Sequence, residues 1–172
     1  AGGYAATADL AAAARDLREA SIRLTGKEPS WVINSHYHND HIRGNGIFTG
    51  ARIVAGPKTK ELIEKEEPAG LEWEKQNVEQ RIAAQKEELE EETDPRKREE
   101  ISLWVDYFEA LQESHIDYTV TLPNFIMEDT LMIKGKNRTV MLFTKGKGHT
   151  EEDIVMWLPA EKILFAGDLL FV

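Results

Sequence analysis

Residues Asn34 to His41 read NSHYHNDH and follow directly on the apolar run Trp31 to Ile33. Trp, Val and Ile favour a pleated surface, so this run predicts a β-strand that ends in a loop. Three histidines and an aspartate fall within six residues of that loop. Imidazole nitrogens and carboxylate oxygens are the usual ligands of zinc and its first-row neighbours. The stretch therefore predicts a metal site at the end of a strand.

The composition of the chain limits its possible partners. Its 172 residues suit one domain with a core of ordinary size, and they include no cysteine, so neither a disulfide nor a thiolate ligand is available. No apolar run approaches the ~20 residues of a membrane span, so we expect no membrane partner. The formal net charge of −10 disfavours binding to a phosphate backbone, so we expect no nucleic-acid partner. These properties do not indicate in which cellular compartment the protein works.

Three short motifs occur in the order typical of one hydrolase family. The pattern at residues 36–41 resembles the HxHxDH signature of the metallo-β-lactamase-fold hydrolases. Gly148-His149-Thr150 and Phe165-Ala166-Gly167-Asp168 are similar to two later landmarks of that family. The resemblance implies an α/β (α+β) fold, specifically an incomplete αββα sandwich of metallo-β-lactamase type. It also implies metal-dependent hydrolysis.

The resemblance assigns roles to six residues of this sequence. One metal would be held by three imidazoles, which are those of His36, His38 and His149. A second metal would be held by Asp40 and His41, with Asp168 bridging the two ions. Asp40 would also be the catalytic residue, orienting the attacking hydroxide and passing a proton to the leaving group. The implied cofactor is zinc, as one or two ions, with manganese or iron as alternatives.

The sequence departs from the family pattern at three places. The family usually supplies one more histidine after the bridging aspartate, whereas the remaining histidine here, His115, lies upstream. The family often has a glycine where Arg43 stands. Arg43 either reshapes the mouth of the cleft or faces solvent, and we expect it to face solvent. No strand hairpin is visible before Ala5, so we interpret the sequence as a fragment of a longer protein.

Hydrophobic periodicity predicts the remaining elements of a single, partial domain over residues 1–172. Residues 5–25 read as a helix that covers a sheet face and ends at Gly26, and Arg52–Ala55 reads as a buried strand. Later strands are predicted at Thr119–Leu122, Leu131–Ile133, Thr139–Phe143, Ile154–Leu158 and Lys162–Phe165.

Residues 57–115 are strongly charged and predict a helical insertion. Two apolar helical stripes are separated at Thr93-Asp94-Pro95, where Asp suits an N-cap and Pro a first helical position. The pattern therefore indicates an antiparallel helical hairpin. Our first interpretation is that the hairpin packs on the domain edge. In the second it forms a lid or a dimer contact, and Tyr107 and His115 are candidates to approach the site.

Two functions are compatible with these features. The first is a hydrolase that uses a metal-bound hydroxide to cleave an ester, thioester, lactone or β-lactam-type amide bond of a small molecule. Asp168, in place of cysteine, resembles the glyoxalase II and lactonase branch, although the context of residues 32–38 also resembles lactamase-related hydrolases. The alternative is an inactive metal-binding or interaction domain that docks through the helical insertion. An apolar edge at residues 163–172 further predicts a homo-oligomer.

Overall fold

Two β-sheets form the centre of the fold in the computed structural model, which describes residues 10–144 and 146–170. The first sheet is parallel, in the order β1-β2-β3, and consists of β1 (Trp31–Ile33), β2 (Arg52–Ala55) and β3 (Phe125–Ile126). The second sheet is antiparallel and consists of β4 (Thr130–Lys134), β5 (Thr139–Thr144), β6 (Ile154–Leu158) and β7 (Ile163–Phe165). The ligand-bearing loops follow β1, β5 and β7.

Four α-helices and two short 3-10 helices surround the sheets within the described ranges. The α-helices are α1 (Leu10–Thr25), α2 (Asn39–Ile42), α3 (Pro57–Glu91) and α4 (Pro95–Ser114), and the 3-10 helices are Arg43–Ile47 and Gly167–Leu169. None of the helices described is both long enough and apolar enough to traverse a lipid bilayer.

The main core lies between the two sheets. Val54 of β2 packs in one buried cluster with Leu142 of β5, Ile154 of β6 and Met127. Residues of both sheets therefore bury their apolar faces against each other, which is the main source of stability in such layered folds. The expected α/β class is confirmed.

The helix α1 buries fewer of its apolar side chains than expected for a helix that covers a sheet face. Ala14 is buried in a small cluster with Phe48 and Ala51, beside Val32 of β1. Leu17 and Leu24 are 65% and 84% exposed, because the contact uses the small alanine face of the helix. The predicted start of this helix, residues 5–9, lies outside the described residues.

One predicted strand is wrong. Thr119–Leu122 forms no strand, since the carbonyl of Thr121 accepts a hydrogen bond from the side chain of Asn45. The side chain of Asn124 then accepts from the Ile53 N–H and donates to the Ala51 carbonyl. Asparagine side chains thus bind the backbone N–H and carbonyl groups that strand pairing would use. The chain pairs with β2 from Phe125 onwards, as β3. The other four of the five later strands are confirmed to within two residues, as are the strands predicted at Trp31–Ile33 and Arg52–Ala55.

The predicted helical hairpin is confirmed as α3 and α4. The Asp94 side chain accepts a hydrogen bond of 2.8 Å from the Arg96 N–H, and Pro95 occupies the first turn, as an N-cap sequence requires. Val78 of α3 and Val105 of α4 are among the buried residues of the two helices. The Asn39 side chain donates a hydrogen bond to Glu74 of α3, so the hairpin lies beside the loop that follows β1.

Candidate metal centre

Three histidine nitrogens from two loops converge on one point. The Nε2 atom of His36 lies 3.1 Å from Nδ1 of His38, and Nε2 of His149 lies 3.1 Å from the same Nδ1 atom. Donors around a tetrahedral zinc ion with bonds of about 2.0–2.1 Å are about 3.4 Å apart. The three imidazoles therefore fit a single metal ion, and they form one of two such groups among the described residues.

Asp168 lies between this triad and His41. Its Oδ1 atom is 3.3 Å from Nε2 of His41, whereas Oδ2 is 3.9 Å from Nε2 of His36 and 3.7 Å from Nε2 of His149. The second group that could hold a metal consists of His36, His41 and Asp168. A carboxylate with one oxygen towards each group has the geometry of a bridging ligand.

Asp40 occupies the outer side of the second group. Its Oδ2 atom is 3.2 Å from Nε2 of His41. In the sequence-based assignment Asp40 and His41 share the second metal, whereas the second compact donor group contains His36 in the place of Asp40. All six predicted ligands nevertheless lie in one locus.

The loop of His149 is held by its own aspartate. Thr150 donates from its backbone N–H and its hydroxyl to the two oxygens of Asp153, at 2.9 and 3.1 Å. The Asp153 side chain is buried. These bonds hold together the turn that directly follows His149.

Asp168 reaches the site because a glycine precedes it. Gly167 has φ of +56°, and a Cβ atom there would lie 2.8 Å from Cβ of Ser35. Only glycine adopts this backbone conformation without strain and tolerates so close an approach. The end of β7 can therefore meet the loop that follows β1.

His36 is oriented by its neighbour in the chain. Ser35 Oγ lies 3.0 Å from Nδ1 of His36, and the Ser35 carbonyl accepts a hydrogen bond of 2.8 Å from the Ile154 N–H. A partner on Nδ1 leaves Nε2 directed at the shared point, as is usual for metal-binding imidazoles. Ser35 thus couples His36 to the second sheet.

Burial keeps the inner histidines neutral. Desolvation, followed by the neighbouring His41 and His38, lowers the pKa of His36 to about 4. Desolvation and the neighbouring His149 also lower the pKa of His38. A neutral imidazole is the form that binds a metal ion, so both residues are ready to bind at pH 7.

Asp40 and His41, the outer pair of the site, stabilise each other in their charged forms. Burial alone would raise the pKa of Asp40, but its hydrogen bond to His41 and the charge of that ring lower it. Burial alone would lower the pKa of His41, but Asp40 and then Asp168 raise it. The carboxylates of Asp40 and Asp168 therefore favour a cation beside them, which in the absence of a metal is the protonated ring of His41.

A cleft of about 330 Å³ opens beside His38 and Asp40. Its lining combines the loop after β1 with the first half of α3, namely Tyr37, His38, Asn39, Asp40, Glu66, Glu67, Gly70 and Glu74. The helical insertion thus walls the cleft next to the predicted ligands, rather than packing only on the domain edge. Its first helix makes this wall.

The expectation that Arg43 faces solvent is wrong. Arg43 is 4% exposed, and its Nε and Nη1 atoms lie 2.6 Å from Glu67 and 2.7 Å from Glu74. Its guanidinium also lies 5.3 Å from the ring centroid of Tyr118. Burial alone would lower the pKa of Arg43, but the hydrogen bonds to the two glutamates raise it. The arginine is buried because α3 supplies two carboxylates.

Sequence reasoning missed the glutamates that surround Arg43. Glu67 and Glu74 are seven residues apart, which places them two turns apart on one face of α3. That spacing was the available signal. His115 and Tyr107 were the candidates to approach the site. The Nε2 atom of His115 lies 3.2 Å from Glu74. Burial, followed by the charges of Glu74 and Asp40, raises the pKa of Tyr107.

Comparison with known proteins identifies the family. The sequence profile described as the metallo-beta-lactamase superfamily matches residues 1–172. No curated protein matches the sequence.

Solved structures with the same fold share little sequence with this chain. A metallo-beta-lactamase from Pontibacter korlensis matches with a TM-score of 0.55 and 14% identity, over 89% of this chain and 48% of that one. A metallo-beta-lactamase from Hirschia baltica gives 0.52 and 14%, over 91% and 49%. The stereoselective inverting sec-alkylsulfatase Pisa1 from Pseudomonas sp. gives 0.55 and 18%, over 92% and 25%. This chain spans about half or less of the length of these proteins. The match of the family profile to residues 1–172 shows that the chain belongs to the metallo-beta-lactamase superfamily.

Proposed function

We propose that the chain is the metal-binding part of a hydrolase that cleaves an ester, thioester, lactone or β-lactam-type amide bond. The observation that carries the proposal is the position of Asp168, with one oxygen towards His41 and the other towards the triad of His36, His38 and His149. Two neighbouring donor groups that share a carboxylate are the arrangement used for binuclear hydrolysis.

The donor set suits zinc, with manganese or iron as alternatives. When bound, such ions would supply an activated water and polarise the scissile carbonyl oxygen. His36 and His38 contribute neutral imidazoles, whose lowered pKa values reflect their burial. Asp40 is ionised and lines the cleft, so its carboxylate can orient the attacking water and carry a proton towards the leaving group.

The cleft wall suggests a neutral acyl substrate. Glu66, Glu67 and Glu74 of α3 all line the cleft, and the guanidinium of Arg43 is engaged with the last two. An acidic wall disfavours an anionic substrate because like charges repel. A small neutral ester, thioester, lactone or lactam is therefore the substrate class that we propose.

The experiment that tests this function combines metal analysis with turnover. The purified chain is supplied with zinc, its metal content is measured by elemental analysis, and it is assayed on a simple ester, a thioester, a lactone and a β-lactam. We expect one or two zinc ions per chain and measurable turnover of at least one substrate. His149→Ala should lose zinc and activity together. Glu151→Gln, at an exposed position in the same loop, should lose neither.

Two results would contradict the proposal. The absence of any bound ion after zinc, manganese and iron are each supplied to the unsubstituted chain would exclude a metal centre in it. Stoichiometric zinc without turnover of any of the four substrate classes would instead favour the second candidate, an inactive metal-binding domain that docks through its helical insertion.

A further inference from the structure

The helix α3 contacts two of the three loops that carry the proposed ligands. Near its start, Thr59 donates from its backbone N–H to Glu152 Oε2 at 2.8 Å, and from its hydroxyl to the Glu152 carbonyl at 3.2 Å. Glu152 lies three residues after His149. Further along, the same helix carries Glu67 and Glu74 to the loop after β1. One helix therefore spans both sides of the predicted centre.

Glu74 joins three elements of the fold. Its Oε1 atom accepts a hydrogen bond of 2.8 Å from the Asn39 side chain, which begins α2. Its Oε2 atom accepts one of 2.7 Å from Arg43, directly after α2, and lies 3.2 Å from Nε2 of His115, at the end of α4. The contacts to Asn39 and Arg43 thus lie on either side of Asp40 and His41 in the chain.

Asn39 passes this contact on to a proposed ligand. The Oδ1 atom of Asn39 accepts a hydrogen bond of 2.8 Å from the Asp40 N–H, while its amide nitrogen donates to Glu74. The position of the Asp40 backbone therefore depends on a side chain that α3 holds. Hydrogen bonds to a carboxylate are stronger than those between neutral groups, so the contact with Glu74 favours this placement of Asn39.

Arg43, Glu67 and Glu74 form a charged cluster that takes no part in the proposed bond cleavage. Arg43 and Glu67 are buried, and the Glu74 side chain is 13% exposed. None of these residues is among the donor groups that could hold a metal. Burying so many charged groups is costly unless each is paired, and apolar residues would fill the same space at lower cost. Their placement around the ligand loop indicates a positioning role.

We infer that Glu74 is a positioning residue, through which the helical insertion sets the places of Asp40 and His41. This inference rests on the proposed function in so far as those two residues hold a metal. In other metal sites, removal of a residue that orients a ligand weakens metal binding by about 10–100-fold. The insertion is then part of the metal centre as well as a wall of the cleft.

The test compares three substitutions in α3. Glu74→Gln removes the charge at the junction while keeping the size of the side chain. Glu72→Gln makes the same change at an exposed position of the same helix, where the carboxylate accepts a hydrogen bond from Gln76. Ile82→Ala removes buried apolar volume two turns further along α3 and lowers stability without touching the ligand loop.

Two measurements are made on each variant. The first is hydrogen exchange of the peptide that covers residues 36–45 in metal-free protein, and the second is zinc affinity by competition with a chelator. We expect Glu74→Gln to speed exchange in residues 39–43 and to weaken zinc binding by about 10-fold or more. Glu72→Gln should change neither quantity. Ile82→Ala should lower the unfolding temperature while leaving exchange of this peptide and zinc affinity near the unsubstituted values.

The outcomes separate this inference from the proposed function. Unchanged exchange of residues 36–45 in Glu74→Gln would overturn the positioning role, whatever the zinc content. An equal loss of zinc affinity in Ile82→Ala would also overturn it, because general stability would then explain the effect. If the unsubstituted chain binds neither zinc nor manganese nor iron, the proposed function fails, and the exchange measurement still decides whether Glu74 holds the loop.

Discussion

The side-chain amides of Asn34 and Asn45 donate hydrogen bonds to each other, at 2.9 and 3.0 Å, across the base of the loop that carries His36, His38 and His41. Both side chains are buried. Asn34 also donates to the His41 carbonyl and Asn45 to the Thr121 carbonyl, each at 3.1 Å. The two amides bond each other because buried polar groups need partners within the protein. Their pairing joins the two ends of the loop.

Asn45→Ala should lower the free energy of unfolding by about 2–4 kcal/mol, because it leaves more than one buried polar group unpaired at roughly 1–3 kcal/mol each. Urea unfolding of the metal-free protein measures this loss. Asn77→Ala, on the surface of α3, is the matched control and should change stability by less than about 0.5 kcal/mol. Equal effects of the two substitutions would show that the amide pair contributes nothing special.

Arg43→Met should lower the free energy of unfolding by about 3–5 kcal/mol, because Glu67 and Glu74 remain buried without their partner. The double variant Arg43→Met/Glu67→Gln should lose less than the sum of the two single variants, with a coupling of about 1 kcal/mol or more. A double-mutant cycle in urea measures the coupling. Additive effects would contradict the buried ion pair.

Gly167→Ala should weaken both folding and zinc binding. The φ of +56° costs a non-glycine residue about 1–2 kcal/mol, and the new Cβ would collide with Ser35, so that Asp168 shifts away from His41. Gly50→Ala is the control, since a Cβ there meets nothing within 4 Å. Chelator competition and thermal unfolding measure the two effects. Zinc affinity equal in both variants would show that the close approach at Gly167 is unimportant.

We propose that this chain self-associates through the edge strand β7. Ile163, Leu164 and Phe165 are 46%, 53% and 51% exposed, and within the described part of the chain β7 pairs only with β6. An exposed apolar edge strand favours pairing with another chain. Light scattering should therefore give a mass above that of one chain. Leu164→Lys should shift it towards the monomer, whereas Leu24→Lys, at an exposed leucine of α1, should not. A monomeric unsubstituted chain would contradict this proposal.

Local sequence was sufficient for the elements whose signals lie within a few residues. The N-cap at Asp94 and the following proline predicted the start of α4, because capping depends on neighbours two positions away. Alternating and β-branched residues predicted four of the five later strands. The strand at 119–122 failed because Asn45 and Asn124, distant in sequence from their partners, supply competing hydrogen bonds.

The sequence by itself determined the helical hairpin and the cluster of histidines and aspartate at residues 36–41, because periodicity, capping and ligand spacing are local properties of the chain. Its resemblance to a known family implied the fold class. The family resemblance implied that His149 joins His38 across 111 residues, and the structure brings the two together. Only the tertiary structure decided that Arg43 is buried against glutamates 24 and 31 residues away. The charge of Arg43 predicts exposure when nothing else is known. Its burial depends on which carboxylates α3 brings to it, and the packing of the helical hairpin against the sheets determines that.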